Sequence, residues 1–144
     1  MSDRSRLPVV LVGLALVGVS LFDRSTGQEP KVALQPPSEV TIERDVVYGT
    51  GAGEELKLNV SRPAKSDGRL PCVIAIHGGA WRAGNKSDLN KLTGELAERG
   101  FVAVTVGYRF CPKHRFPAKV EDVKCAVRFL RANAEKYGLD PQRI

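Results

Sequence analysis

The sequence is poor in the residues that build metal and redox centres. Its 144 residues include two histidines and three cysteines. Cys72, Cys111 and Cys125 are odd in number, and their spacing suits neither a zinc site nor a CxxC redox pair. They read as small buried or half-buried thiols, and a cysteine nucleophile would need a base that the sequence does not assign. No metal and no cofactor is expected. Aromatic residues are also scarce, at 6%. The net charge of +6 therefore lacks the stacking platforms or groove-reading motif of a nucleic-acid module, and no nucleic-acid partner is expected. Most of that charge lies in 28–144, much of it between Arg109 and Arg131, where Glu121 and Asp122 interrupt it as on a solvated helix face. A third shortage concerns serine. Ser2, Ser5, Ser20, Ser25, Ser38, Ser61, Ser66 and Ser87 all lack the flanking glycines of a GxSxG elbow.

Hydrophobic residues are sufficient, at 42%, for one domain core. The N-terminus is set apart. Arg4 and Arg6 precede an apolar stretch from Leu7 to Phe22, which is shorter than the roughly 20 residues of a comfortable membrane span. Positive charge before a short apolar run is the pattern of an export signal, so residues 1–27 are expected to be a signal peptide or a membrane anchor. The implied location is periplasmic or extracellular. Residues 28–39, with Pro30, Pro36 and Pro37, read as a linker.

From residue 40 the pattern is that of a mixed α/β domain. Strands are expected over 40–48 and 54–62 around GTGAG, with Leu56, Leu58 and Val60 on one face and Lys57, Asn59 and Ser61 on a wet one. RLPCVIAI (69–76) and FVAVTV (101–106) are continuously apolar, as strands covered on both faces should be. Ser87 is placed to cap a helix over 88–99 whose Leu89, Leu92 and Leu96 share a face, with Gly100 as its stop. Pro117 suits the first position of a second helix, in which Val120, Val123, Val127, Leu130, Ala134 and Tyr137 recur until Gly138. Arg143 and Ile144 look like the start of a further strand. A strand hairpin followed by alternating strands and helices implies a mostly parallel sheet, with ligands beyond the carboxyl ends of its strands.

One such end carries HGGAW, residues 77–81. Adjacent glycines let a backbone approach a ligand and turn its N–H groups inward, although a bare Gly-Gly pair also serves as a plain tight turn. Taken with VGYRF (106–110), the FPAKVED helix start (116–122) and LDPQRI (139–144), the loop resembles the esterase and lipase group of the α/β-hydrolase superfamily. The likeness is to hormone-sensitive lipase and to bacterial feruloyl-esterase-like proteins, and it covers about residues 40–144. Ala80 stands where many members have a third glycine, and Phe110 where leucine is usual. The resemblance implies an oxyanion hole from the N–H groups of Gly78, Gly79 and Ala80. It also implies loop support or pocket shaping by His77 and Trp81, and a structural ion pair between Arg109 and Asp122, for which independent solvation is the alternative. Neither His77 nor His114 is expected to act as general base.

The same resemblance implies the N-terminal half of an α/β-hydrolase fold, truncated before the nucleophile strand, with no catalytic residue of its own. In the superfamily order 1-2-4-3-5 the CVIAI strand would pair with that missing strand. Its edge would otherwise be left exposed and prone to self-association. The expected function is the N-terminal part of an exported serine carboxylic-ester hydrolase, inactive alone and acting on a small carboxylic ester once completed. A non-catalytic binding module of the same fold, and a fragment of a peptidase- or formamidase-type hydrolase, are the alternatives.

Overall fold

The computed structural model of the chain describes residues 39–144. The expected export segment over 1–27 and all but the last residue of the linker over 28–39 lie outside the described residues. Among the described residues, no helix is long and apolar enough to cross a membrane.

Four strands form one sheet: β1 (Val40–Gly51), β2 (Glu54–Pro63), β3 (Cys72–Ile76) and β4 (Val102–Val106), in the order β1-β2-β4-β3. β1 and β2 form an antiparallel hairpin that is longer than expected, because GTGAG continues the ladder to Gly51↔Glu54. Ala52 and Gly53, both with positive φ (49° and 80°), make the two-residue turn, the handedness that matches the twist of paired strands. β3 and β4 are parallel, in register from Cys72↔Val102 to Ile76↔Val106. The crossover between them carries α1 (Asn90–Glu98), while α2 (Ala118–Ala132) and α3 (Ala134–Tyr137) follow β4. The core is built from Leu56, Leu58 and Val60 of β2, Val102, Val104 and Val106 of β4, and Ala126, Leu130, Tyr137 and Leu139 behind them.

Several local expectations are corrected. The second face of β2 is not wet: Asn59 and Ser61 are buried because α1 lies over them. Their polar atoms find partners on that helix and on β1: Asn59 Nδ2 donates to Asn90 Oδ1 at 3.0 Å, Asn59 Oδ1 accepts from the Asp45 N–H at 3.0 Å, and Ser61 Oγ lies 3.4 Å from Thr93 Oγ1. Thr93 and Ala97, small enough for close approach to the sheet, are the buried residues of α1, while Leu92 is exposed. The cap lies two residues earlier than Ser87. Asn85 accepts from the Ser87 N–H while Asp88 accepts from the Asn85 N–H, a reciprocal box that opens a 3₁₀ turn, Lys86–Leu89, ahead of α1.

The second helix breaks at Asn133, and its buried stripe is Ala118, Asp122, Ala126 and Leu130, displaced from the valine stripe so that Val120 faces solvent. Pro117 is its cap residue rather than its first turn, and Gly138, left-handed at φ 66°, ends α3 as expected. β4 is buried throughout, whereas β3 is covered only in part: Cys72 is buried, Val73 to Ala75 are half-buried and Ile76 is exposed. The difference follows from position, since β4 lies between β2 and β3 while β3 is the edge of the described sheet. Arg143 and Ile144 are not in a strand, but the segment does run beside the start of β3. Leu139 bridges Leu70 in parallel, and the Arg143 carbonyl accepts from the Cys72 N–H at 2.8 Å.

Candidate oxyanion site

The loop after β3 is held in a conformation that side chains resist. Gly79 has φ 118° and Gly84 φ 109°, and between them Ala80 (50°) and Trp81 (65°) are both left-handed without being glycine. Such residues cost energy and tend to gather where a site needs a fixed backbone. A Cβ on Gly79 would stand 1.9 Å from the Ala83 carbonyl oxygen, and one on Gly84 2.4 Å from His77 Nδ1, so neither position has room for a side chain. The Gly79 carbonyl accepts from the N–H groups of Arg82 (2.9 Å) and Ala83 (3.1 Å), closing the turn.

Within this turn the three N–H groups named from the sequence stay open. Gly78, Gly79 and Ala80 are exposed, and among the described residues their N–H groups donate to no acceptor. Backbone donors that the fold leaves free and rigidly held can stabilise a developing negative charge, at a few kcal/mol for one donor.

His77 is buried and points away from proton-transfer work. Its Nδ1 lies 2.8 Å from the Gly78 carbonyl oxygen, which only accepts, so the ring carries its proton there. The ring stacks on Tyr108 (centroids 4.5 Å apart, 12° between planes) and meets Phe110 edge-on at 5.8 Å. Tyr108 in turn donates its hydroxyl to the His77 carbonyl at 2.8 Å, and burial raises that hydroxyl above the ordinary tyrosine range. Tyr108 is the residue that the sequence reading missed, although it stands in the VGYRF segment that the reading used for Arg109. Trp81 is 58% exposed, its ring tilted 5.9 Å from Tyr108, and its carbonyl accepts from the Cys111 N–H at 2.9 Å. His114 lies elsewhere, with Nε2 3.4 Å from Glu54 Oε1.

Arg109 and Asp122 meet behind this layer. Arg109 Nη2 donates to Asp122 Oδ1 at 2.6 Å, Nε reaches both carboxylate oxygens at 3.0 Å, and the Arg109 backbone N–H donates to Oδ2 at 2.9 Å. Asp122 is 1% exposed, and its hydrogen bonds hold the guanidinium proton more tightly than usual. Gly51 makes room for the pair, since a Cβ there would stand 2.6 Å from Arg109 Cζ. A cleft of about 340 Å³ borders the loop on the hairpin side, lined among others by Glu54, Lys57, Lys86 and Arg109. Charge of both signs makes it a poor home for an acyl chain. Among the described residues no group of histidine, cysteine, aspartate and glutamate is arranged to hold a metal ion.

The chain is similar to several known proteins. A family model described as BD-FAE matches residues 58–144. The probable carboxylic ester hydrolase LipM of Mycobacterium tuberculosis is 36% identical over 103 residues, covering 69% of this chain and 24% of the relative. Among solved structures, esterase 2 of the planctomycete Thermogutta terrifontis superposes with a TM-score of 0.64 at 30% identity, over 80% of this chain and 40% of that one. A bacterial heroin esterase gives 0.67 at 31% identity, over 78% and 36%. The chain thus spans about a quarter of the length of a curated relative such as LipM. With its sheet order and loop in place, the chain belongs to the BD-FAE family, in the esterase and lipase group of the α/β-hydrolases.

Proposed function

We propose that this chain is the oxyanion-hole portion of an exported serine carboxylic-ester hydrolase, and that alone it hydrolyses no ester. The observation that carries the reading is the set of unengaged N–H groups of Gly78, Gly79 and Ala80 at the carboxyl end of β3. In acyl transfer the attacked carbonyl oxygen gains negative charge as the tetrahedral intermediate forms. Donors already pointing at that oxygen stabilise the intermediate without reorganising. His77, Tyr108 and Cys111 hold the loop by hydrogen bonds that leave these three N–H groups free. Trp81, projecting into solvent next to them, is placed to border the entrance for the substrate. The nucleophile, its base and its acid would come from sequence beyond these 144 residues, since none of the eight serines sits in an elbow. The N-terminal segment would direct export or anchor the protein, and β3, as the edge of the described sheet, would accept the nucleophile strand or, failing that, a second copy.

The test begins with the coding DNA beyond codon 144, searched for a GxSxG elbow and a distant histidine. The chain as given and the lengthened chain are then assayed on short-chain nitrophenyl esters. The expected result is turnover by the longer chain only, reduced when Gly79 is replaced by alanine. Turnover by the 144-residue chain, or a lengthened chain indifferent to that replacement, would refute the assignment.

A further inference from the structure

Of the three thiols, Cys111 has surroundings unlike the other two. Cys72 is buried in the core, and burial pushes its thiol up to about 12. Cys125 faces the Tyr48 carbonyl at 3.7 Å and packs over Gly49. Cys111 is half-exposed on the loop between β4 and α2, and Lys119 Nζ lies 2.7 Å from its Sγ. Lys119 is 8% exposed, which is unusual for a lysine. Its ammonium is fixed in place by a second hydrogen bond, to the His114 carbonyl at 3.0 Å, which Cys111 Sγ also approaches at 3.4 Å. The amine therefore cannot swing away without losing a partner, and Cys111 keeps part of its surface in solvent.

We propose that Cys111 and Lys119 form an oxidant-responsive covalent site whose reactant is a hydroperoxide. The Cys111 thiolate attacks one oxygen of hydrogen peroxide. The O–O bond breaks, the sulfur is oxidised to sulfenic acid, and the second oxygen leaves as water after taking a proton. The Lys119 amine, having released its extra proton, then attacks the sulfenic sulfur. An N–S bond forms, the S–O bond breaks, and the hydroxide leaves with the second nitrogen proton as water. One thiolate, one ammonium and one peroxide become one sulfenamide and two waters, with the peroxide reduced and the sulfur oxidised. Sulfenic acids are known to condense with a nearby nitrogen in this way, and here a side-chain nitrogen is already in contact.

The bond would tie the 110–117 loop to the first turn of α2. Because the Cys111 N–H holds the Trp81 carbonyl, the oxidised form would also alter the setting of the loop that carries the open N–H groups. The chemistry at sulfur does not depend on the ester-hydrolase reading, and it is tested without any ester.

The full chain is exposed to hydrogen peroxide, alkylated under denaturing conditions, digested with trypsin and analysed by mass spectrometry. The expected product joins 110–113 to 116–124, because a blocked Lys119 is no longer cleaved, and weighs two hydrogens less than the two peptides together. It should be lost in Cys111→Ser, and lost when the parent is oxidised in urea. Lys119→Arg, which keeps the cation, should lose it while leaving a sulfenic acid that dimedone traps. The emission of Trp81, the single tryptophan, should change on oxidation and return with dithiothreitol. Oxidation of Cys111 without the joined peptides in the folded parent would overturn the site. Joined peptides with unchanged emission would overturn its link to the loop.

Discussion

The loop 77–84 and the layer 108–122 lie against each other, yet they are built on opposite terms. The layer is saturated: every oxygen of Asp122 is used by Arg109, and Tyr108 has both a stacking partner and an acceptor. The loop carries strain at Ala80 and Trp81 and leaves three donors unused. Strain in one region persists only if its surroundings over-determine the backbone. The contrast teaches that the ion pair and the stacked rings stabilise the fold so that the loop can remain open and unsatisfied.

The division can be broken from either side. The largest effect is expected for Asp122→Ala, which leaves the half-buried Arg109 guanidinium with only the more distant Glu121 carboxylate at 3.8 Å and should cost about 3 kcal/mol in urea unfolding. A double replacement, Arg109→Met with Asp122→Leu, should lose far less than the two single losses combined. A fully additive loss would mean that the two side chains act independently, with no coupling between them. Gly79→Ala should act on the other side: its Cβ would meet the Ala83 carbonyl oxygen, so the loop must shift, and the loss should be at least the roughly 1–3 kcal/mol of a strained backbone. In a lengthened, active chain the alanine keeps its N–H but the shifted loop should misaim the donors, and turnover should fall by about 10²–10³, as for the loss of one donor. Equal damage to folding and turnover would dissolve the distinction.

Smaller changes sharpen it. Tyr108→Phe leaves the His77 carbonyl without its donor, and unfolding should become easier by about 1–3 kcal/mol. Ala80→Gly removes the cost of a left-handed alanine and should be neutral to stabilising, by up to about 1 kcal/mol, because glycine also loses more freedom on folding. The least effect is at the hairpin tip. There the hydrogen bond from Lys113, then that from His114, holds the Glu54 carboxyl below its ordinary value. A lowered carboxylate pKa adds stability above its unfolded value and loses it as pH falls through the folded one. The stability difference between the parent and Glu54→Gln should therefore be level at neutral pH and shrink below about pH 4.5.

Much of this architecture was legible in the chain. Continuous apolar runs gave β3 and β4, alternation gave the inner face of β2, and Gly138 marked the end of the helical segment. Periodicity misled where a helix covers a polar surface. Asn59 and Ser61 look wet until α1 supplies Asn90 and Thr93, a pairing that depends on tertiary position alone. The valine stripe of α2 lost to Asp122, since satisfying Arg109 turns that carboxylate inward and Val120 outward. Ser87 and Asn85 are both good caps, and only the reciprocal bond from Asp88 selects Asn85. The HGGA loop could be named from its residues, but its left-handed alanine and tryptophan could not, because no sequence rule favours those residues there.

The bond from the Cys72 N–H to the Arg143 carbonyl, with the bridge from Leu70 to Leu139, has a consequence in time. β1 and β2 join across two residues and can pair as soon as both have been synthesised. The start of β3 must wait until residues 139–143 exist. Closing so long a loop costs only about 1 kcal/mol more than closing the β3–β4 crossover, since the entropy grows with the logarithm of length. Delay, more than energy, is therefore the hazard: at about 5–20 residues per second a growing chain holds a finished hairpin and an uncovered apolar strand together for seconds.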